Sequence, residues 1–103
     1  MSDKTRQDEK GGTSLKDRVV PPKRFKVILL NDDFTSMEFV VLVLTTVFRH
    51  GQAGATRIML SIHKTGVGTA GVYTKDVAET KLEQVHAFAR EAGFPLQGTT
   101  EPE

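Results

Sequence analysis

The chain has 103 residues, of which 38% are hydrophobic and 26% charged, with a formal net charge of +1 and no cysteine. That is one small domain with a modest core. The near-neutral balance gives no global pull toward nucleic acid, membrane or acidic polymers, and the lack of cysteine excludes a disulfide framework, a thiolate zinc site and a thiol nucleophile.

Residues 1–23 mix charges of both signs, include Gly11 and Gly12, and hold few apolar side chains. Such a segment buries too little surface to offset the entropy of ordering, so a flexible N-terminal extension is expected ahead of a core domain over residues 24–103. Its opening residues have no apolar run behind their charges, so neither a signal peptide nor an anchor is expected. No segment approaches the roughly 18 apolar residues of a membrane span, and a cytoplasmic protein is the expectation. Val19-Val20-Pro21-Pro22 gives a stiff, extended entry to the core.

Phe25 to Leu30 reads as a strand, β-branched and aromatic in part and bounded by prolines before and Asn31-Asp32-Asp33 after. Thr35-Ser36-Met37-Glu38 spells a capping box with Thr35 as the cap, and predicts a helix over about 36–48 whose apolar side chains cover most of its circumference. A second helix is predicted over 52–63 from the stripe Ala55, Ile58, Met59 and Ile62, with His63 four residues after Met59. Lys64-Thr65-Gly66 stops it. The glycine-rich stretch that follows ends in a strand, Gly71 to Thr74. Thr74 can cap a third helix over 75–92, with Val77, Ala78, Leu82, Val85, Phe88 and Ala89 as its stripe and the Lys81 stem at the edge. Pro95 to Thr100 reads as a short third strand, and 101–103 as a free end. The order β-α-α-β-α-β has too few strands for a doubly wound sheet. An α+β fold is expected, with three helices packed on a small, mainly antiparallel three-stranded sheet.

The residues with chemical potential are Asn31, Asp32, Asp33 and His63. Asn and Asp bond their own backbone and open helices, so a plain turn accounts for them. Yet Thr35 already caps the helix, and three consecutive acceptors exceed what capping needs. His63 reads either as a satisfied boundary histidine or as a ligand-contacting acceptor, since neutral imidazole offers one acceptor and one donor nitrogen. One histidine and two adjacent carboxylates make a poor metal site. No serine sits in a nucleophile elbow, so a small hydrolase built on Asp32 and His63 lacks its nucleophile. Gly66-Val67-Gly68-Thr69-Ala70-Gly71 matches Gly-x-Gly-x-x-Gly letter by letter, but follows a helix and leads into a strand, the reverse of a dinucleotide loop. No cofactor is expected. Rigid acceptors beside flexible apolar side chains such as Met37 and Met59 suit a ligand that is cationic at one point and apolar next to it.

Leu29 to Val40, Leu-Leu-Asn-Asp-Asp-Phe-Thr-Ser-Met-Glu-Phe-Val, resembles the signature of the ClpS family, adaptors of the bacterial Clp ATPase–protease. Ala55 to His63, Gly71 to Thr74, Val77 to Lys81 and Pro95-Leu96 match later family blocks in the same order, so the resemblance covers about residues 22–101. It implies a non-enzymatic, monomeric adaptor that binds proteins through a free N-terminal Leu, Phe, Tyr or Trp (an N-degron) and delivers them to a Clp-family AAA+ ATPase. It implies no role for nucleic acid. The resemblance assigns the α-amino contacts to Asn31, Asp32 and His63. It assigns the side-chain pocket to Leu30, Thr35, Met37, Val40, Met59, Ile62 and Leu96 with Asp33 at the margin, and ATPase docking to Asp76, Glu79 and Lys81. The N-terminal extension is implied to engage the ATPase. Ser36 stands where the family usually has proline, and Gly51-Gln52-Ala53-Gly54 is poor in helix formers; both departures suit a narrower or weaker substrate range. A regulatory domain of the same ATPase that holds no degrons is the alternative. A ribosome-associated module, suggested by a similar fold in the ribosomal stalk, gains no support from the charge.

Val and Ile are widest at Cβ, where such a pocket begins, and the resemblance places Met37 at that point. Met37→Ala is expected to admit peptides that begin with Ile or Val. A titration in which their binding relative to Leu is unchanged removes Met37 from this role.

Overall fold

The computed structural model describes residues 20–103. The expected N-terminal extension lies almost wholly outside the described residues. The elements run β1 (Arg24–Leu30), α1 (Met37–Thr46), α2 (Gln52–Thr65), β2 (Val67–Thr74), α3 (Lys75–Ala92) and β3 (Gln97–Pro102). They form a three-stranded sheet of order β2-β1-β3, antiparallel on both sides of β1. The fold is the expected α+β arrangement.

The central strand owes its place to alternation. Val27 and Leu29 are fully buried on the face that the helices cover, while the Lys26 ammonium lies on the other face, 3.9 Å from the Glu101 carboxylate. Burying such side chains at roughly 25 cal/mol per Å² is the main force that fixes register. β2 keeps that register through a bulge. Val27 pairs with Gly71 and Ile28 with Thr69, which leaves Ala70 as an extra residue. The Ala70 carbonyl, out of the ladder, bonds the His50 imidazole, so the turn after α1 is tied to the sheet.

α1 buries Phe39, Val40, Val43 and Leu44. Phe39 stacks edge-on against Phe88 of α3 at 5.2 Å and lies 4.6 Å from Phe94, which fixes α1 across the C-terminal half of α3. At the other end, the Lys81 ammonium of α3 donates to the Val47 carbonyl at 2.7 Å and sits 5.8 Å from the centre of the Tyr73 ring. A cation on the last carbonyls of a helix satisfies an otherwise orphan acceptor. Burial raises the Tyr73 hydroxyl above the ordinary phenol range, so it stays neutral at physiological pH.

Several boundaries differ from the sequence expectation. α1 ends two residues before Phe48 because Arg49 turns into the left-handed region at φ 63. α2 runs two residues past His63, to the left-handed Gly66. β2 takes in the glycine run, and β3 starts at Gln97 and continues through Glu101 and Pro102, which pair with Lys26 and Phe25. The tail expected to be free is therefore strand, and it adds an Arg24–Glu103 ion pair at 3.2 Å. That pair is exposed, and such pairs contribute little.

Gly68 explains how α2 reaches the sheet. A Cβ there would stand 2.5 Å from Ile62 Cγ1 and 3.4 Å from the Ile58 carbonyl oxygen, so only glycine lets the helix come this close. Gly68→Ala is expected to overpack the contact and cost about 1–3 kcal/mol, a fall in melting temperature on the order of 4–8 °C per kcal/mol in a domain of this size. Thermal unfolding of the two proteins checks this; an unchanged midpoint contradicts it.

Candidate functional site

Residues Asn31 to Ser36 carry the chain from β1 to α1, and their local bonds fix where each acceptor stands. The Thr35 hydroxyl donates to Asp32 Oδ2 at 2.7 Å, and the Thr35 N–H bonds the Asp32 carbonyl at 3.2 Å. Ser36, not Thr35, is the helix cap: its hydroxyl accepts from the Phe39 N–H at 3.1 Å. The cap thus lies one residue later than expected, and with Phe39 at the third helical position the reciprocal capping box is not formed. The Thr35 side chain is turned instead toward the Asp32 carboxylate, to which its hydroxyl donates. Ser36 adopts φ −69 and ψ 150, an extended conformation that a proline could also take.

A second link closes the site. The Asn31 N–H donates to the Gly66 carbonyl at 2.9 Å. Gly66 is the left-handed residue that ends α2, so the start of the acceptor loop is fastened to the end of the helix that carries His63. A left-handed φ of 91 at this point is available to glycine at little cost.

Together these links shape a cavity of ≈ 170 Å³ lined by Leu30, Asn31, Asp32, Asp33, Thr35, Met37, Val40, Met59, Ile62 and His63. Polar atoms of Asn31, Asp32, Asp33, Thr35 and His63 supply one part of the wall. Leu30, Met37, Val40, Met59 and Ile62 supply the other. No lysine or arginine lines it, and among the described residues neither Asp32 nor Asp33 forms an ion pair. An uncompensated carboxylate pair beside an apolar wall attracts a cation that carries an apolar group. Among the described residues no group of three or more His, Asp or Glu side chains is placed to hold a metal ion, and no helix is long and apolar enough to cross a membrane.

Two of the residues assigned by resemblance stand elsewhere. Leu96 is only 2% exposed and belongs to the core under the sheet rather than to the cavity lining; it is fixed at the entry to β3. Lys81, assigned to a docking surface with Asp76 and Glu79, turns its ammonium inward to the Val47 carbonyl. Asp76 and Glu79 are exposed at the start of α3. Sequence reasoning read Gly66 as the stop of α2 but not as the residue whose carbonyl holds the acceptor loop, and it missed Gly68, where α2 meets the sheet. The close approach at Gly68 has no local signal.

With this geometry in view, the chain can be set beside proteins it is similar to. Residues 20–99 match the family described as ATP-dependent Clp protease adaptor protein ClpS. The chain is 60% identical over 82 residues to the ATP-dependent Clp protease adapter protein ClpS of Desulfatibacillum aliphaticivorans, covering 80% of this chain and 79% of that one. It is 50% identical over 104 residues to the protein of the same name from Oleidesulfovibrio alaskensis, covering 98% of both. Among solved structures it is similar to Agrobacterium tumefaciens ClpS2 bound to L-phenylalaninamide, with a TM-score of 0.77, 47% identity, and coverage of 81% of this chain and 100% of that one. The chain belongs to the ClpS family of Clp protease adaptors.

Ser36→Ala removes the cap of the helix that carries Met37 and Val40. It is expected to cost about 1 kcal/mol of stability. Urea unfolding reads the difference, and equal stability of the two proteins contradicts the role given to the Ser36 hydroxyl.

Proposed function

We propose that this chain is an adaptor that binds the free N-terminal residue of proteins marked for degradation and delivers them to a Clp-family ATPase. The observation that carries the reading is the cavity itself, with acceptors on one part of its wall and apolar side chains on the other. An N-terminal Leu, Phe, Tyr or Trp presents the matching pair: an ammonium with three donors and, on the same Cα, an apolar side chain. L-phenylalaninamide, the ligand of the related A. tumefaciens protein, has this pairing.

In this reading Asn31, Asp32 and His63 accept from the ammonium. The Asp32 carboxylate is oriented by Thr35, so its geometry is set before the ligand arrives, and little ordering cost is left for binding. Leu30, Met37, Val40, Met59 and Ile62 surround the side chain, with Asp33 at the margin. Burying a leucine or phenylalanine side chain is worth about 1.5–3 kcal/mol. An internal peptide segment has no ammonium and would leave the acceptors unpaired. The chain acts by binding and not by turnover. It works in the cytoplasm as a monomer, without a cofactor or nucleic acid. Asp76 and Glu79 at the start of α3, with the 44%-exposed Val77 between them, are the surface proposed to meet the ATPase, and Lys81 positions that surface from inside.

The test is a fluorescence titration with a Phe-initiated peptide and its N-acetylated twin. Acetylation removes charge-assisted bonds worth roughly 1.5–3 kcal/mol each, so a loss of at least about 100-fold is expected. Affinity should also weaken as the pH rises past the peptide amine, about 7.7–8.0. Equal binding of the two peptides contradicts the reading and favours a regulatory domain that holds no degron.

A further inference from the structure

The cavity is small for the larger members of its proposed ligand class. Its ≈ 170 Å³ is close to the roughly 150 Å³ of an engineered protein cavity that takes one benzene. A leucine or a phenylalanine ring fits such a space, whereas an indole needs more room. Two of the walls are able to give that room. Met37 and Met59 also line a second, more open cleft of ≈ 380 Å³ between α1 and α2, completed by Glu38, Val41 and Gln52. What separates the pocket from this cleft is therefore a pair of thioether side chains. Methionine is unbranched, with three rotatable bonds, and Met37 is 43% exposed. Two of the remaining apolar walls have no such retreat. Val40 and Ile62 are β-branched and buried, at 7% and 2% exposure, and stiff at χ1.

We propose that Met37 and Met59 form a movable partition, and that Val41 and Gln52 behind it set the largest N-terminal residue the pocket accepts. A leucine or phenylalanine enters with the partition in place. A tryptophan enters by pushing the two thioethers into the α1–α2 cleft. The inference rests on the N-terminal-residue reading above and adds a size limit set by residues that do not line the pocket.

Val41→Phe fills the cleft from α1, and Gln52→Phe, at an exposed position in the first turn of α2, fills it from the other side without disturbing the core. Dissociation constants are measured for peptides that differ only in a first residue of Leu, Phe or Trp. Either substitution is expected to leave Leu and Phe within about twofold and to weaken Trp by at least about tenfold, the scale of an overpacked contact. In the unsubstituted protein labelled at its methionine methyls, the Met37 and Met59 resonances should move further with the Trp peptide than with the Leu peptide. If Trp weakens no more than Leu and Phe in the filled variants, the partition is overturned while the N-terminal reading stands. If the unsubstituted protein binds none of the three peptides, both fall.

Discussion

The hydrogen bond from the Asn31 N–H to the Gly66 carbonyl, 2.9 Å long, joins two segments that are far apart in the chain and have to act as one surface. One is the loop that leaves the central strand with Asn31, Asp32 and Asp33. The other is the end of α2, with His63 in its last turn. Neither would hold its acceptors at a fixed separation alone, since a loop after a strand frays and a helix end is free to tilt. Fastening the first residue of one to the terminal glycine of the other sets the polar wall of the cavity. Thr35 then fixes the Asp32 carboxylate within that wall. The result is a site organised before any ligand binds, and preorganisation of polar groups is what lets a small site discriminate.

The apolar wall depends on two other anchors. α2 lies close to β2 because Gly68 has no side chain to keep Ile62 away, and α1 is held across α3 by Phe39 against Phe88 and Phe94. The two helices thus approach each other from separate anchors. They leave between them a cleft that Met37 and Met59 border together with Glu38, Val41 and Gln52. Good packing of the core and incomplete packing at the Met37–Met59 seam are features of the same architecture. The first supplies stability, and the second supplies room for adjustment where ligands of different size have to be met.

Much of this was legible in the sequence because the local signals agree with the global fold. The Asn-Asp-Asp run stands at the end of an apolar strand and the Ala55, Ile58, Met59, Ile62 stripe carries His63, but that the two meet was implied by the resemblance to the ClpS family and by neither pattern alone. The errors have specific causes. Thr35 and Ser36 are both competent caps, and the local bond that turns the Thr35 hydroxyl back to Asp32 leaves the cap to Ser36. Val67 to Gly71 has poor strand propensity, yet pairing with the buried β1 imposes strand geometry on it. Leu96 and the pocket leucine Leu30 look alike in sequence, since an apolar residue next to a strand can face a cavity or a core. Lys81 shows the converse: a charged residue near an acidic helix start reads as surface, but its long stem lets the ammonium reach an orphan carbonyl inside.

The central claim is that a free α-ammonium beside an apolar side chain enters the cavity between the acceptor loop and α2. A backbone-amide NMR titration with L-phenylalaninamide addresses it most directly. The account predicts saturable shifts centred on Asn31, Asp32, His63 and Gly66, and none of comparable size at the start of α3. Shifts centred elsewhere, or the same shifts with N-acetyl-L-phenylalaninamide, would contradict it.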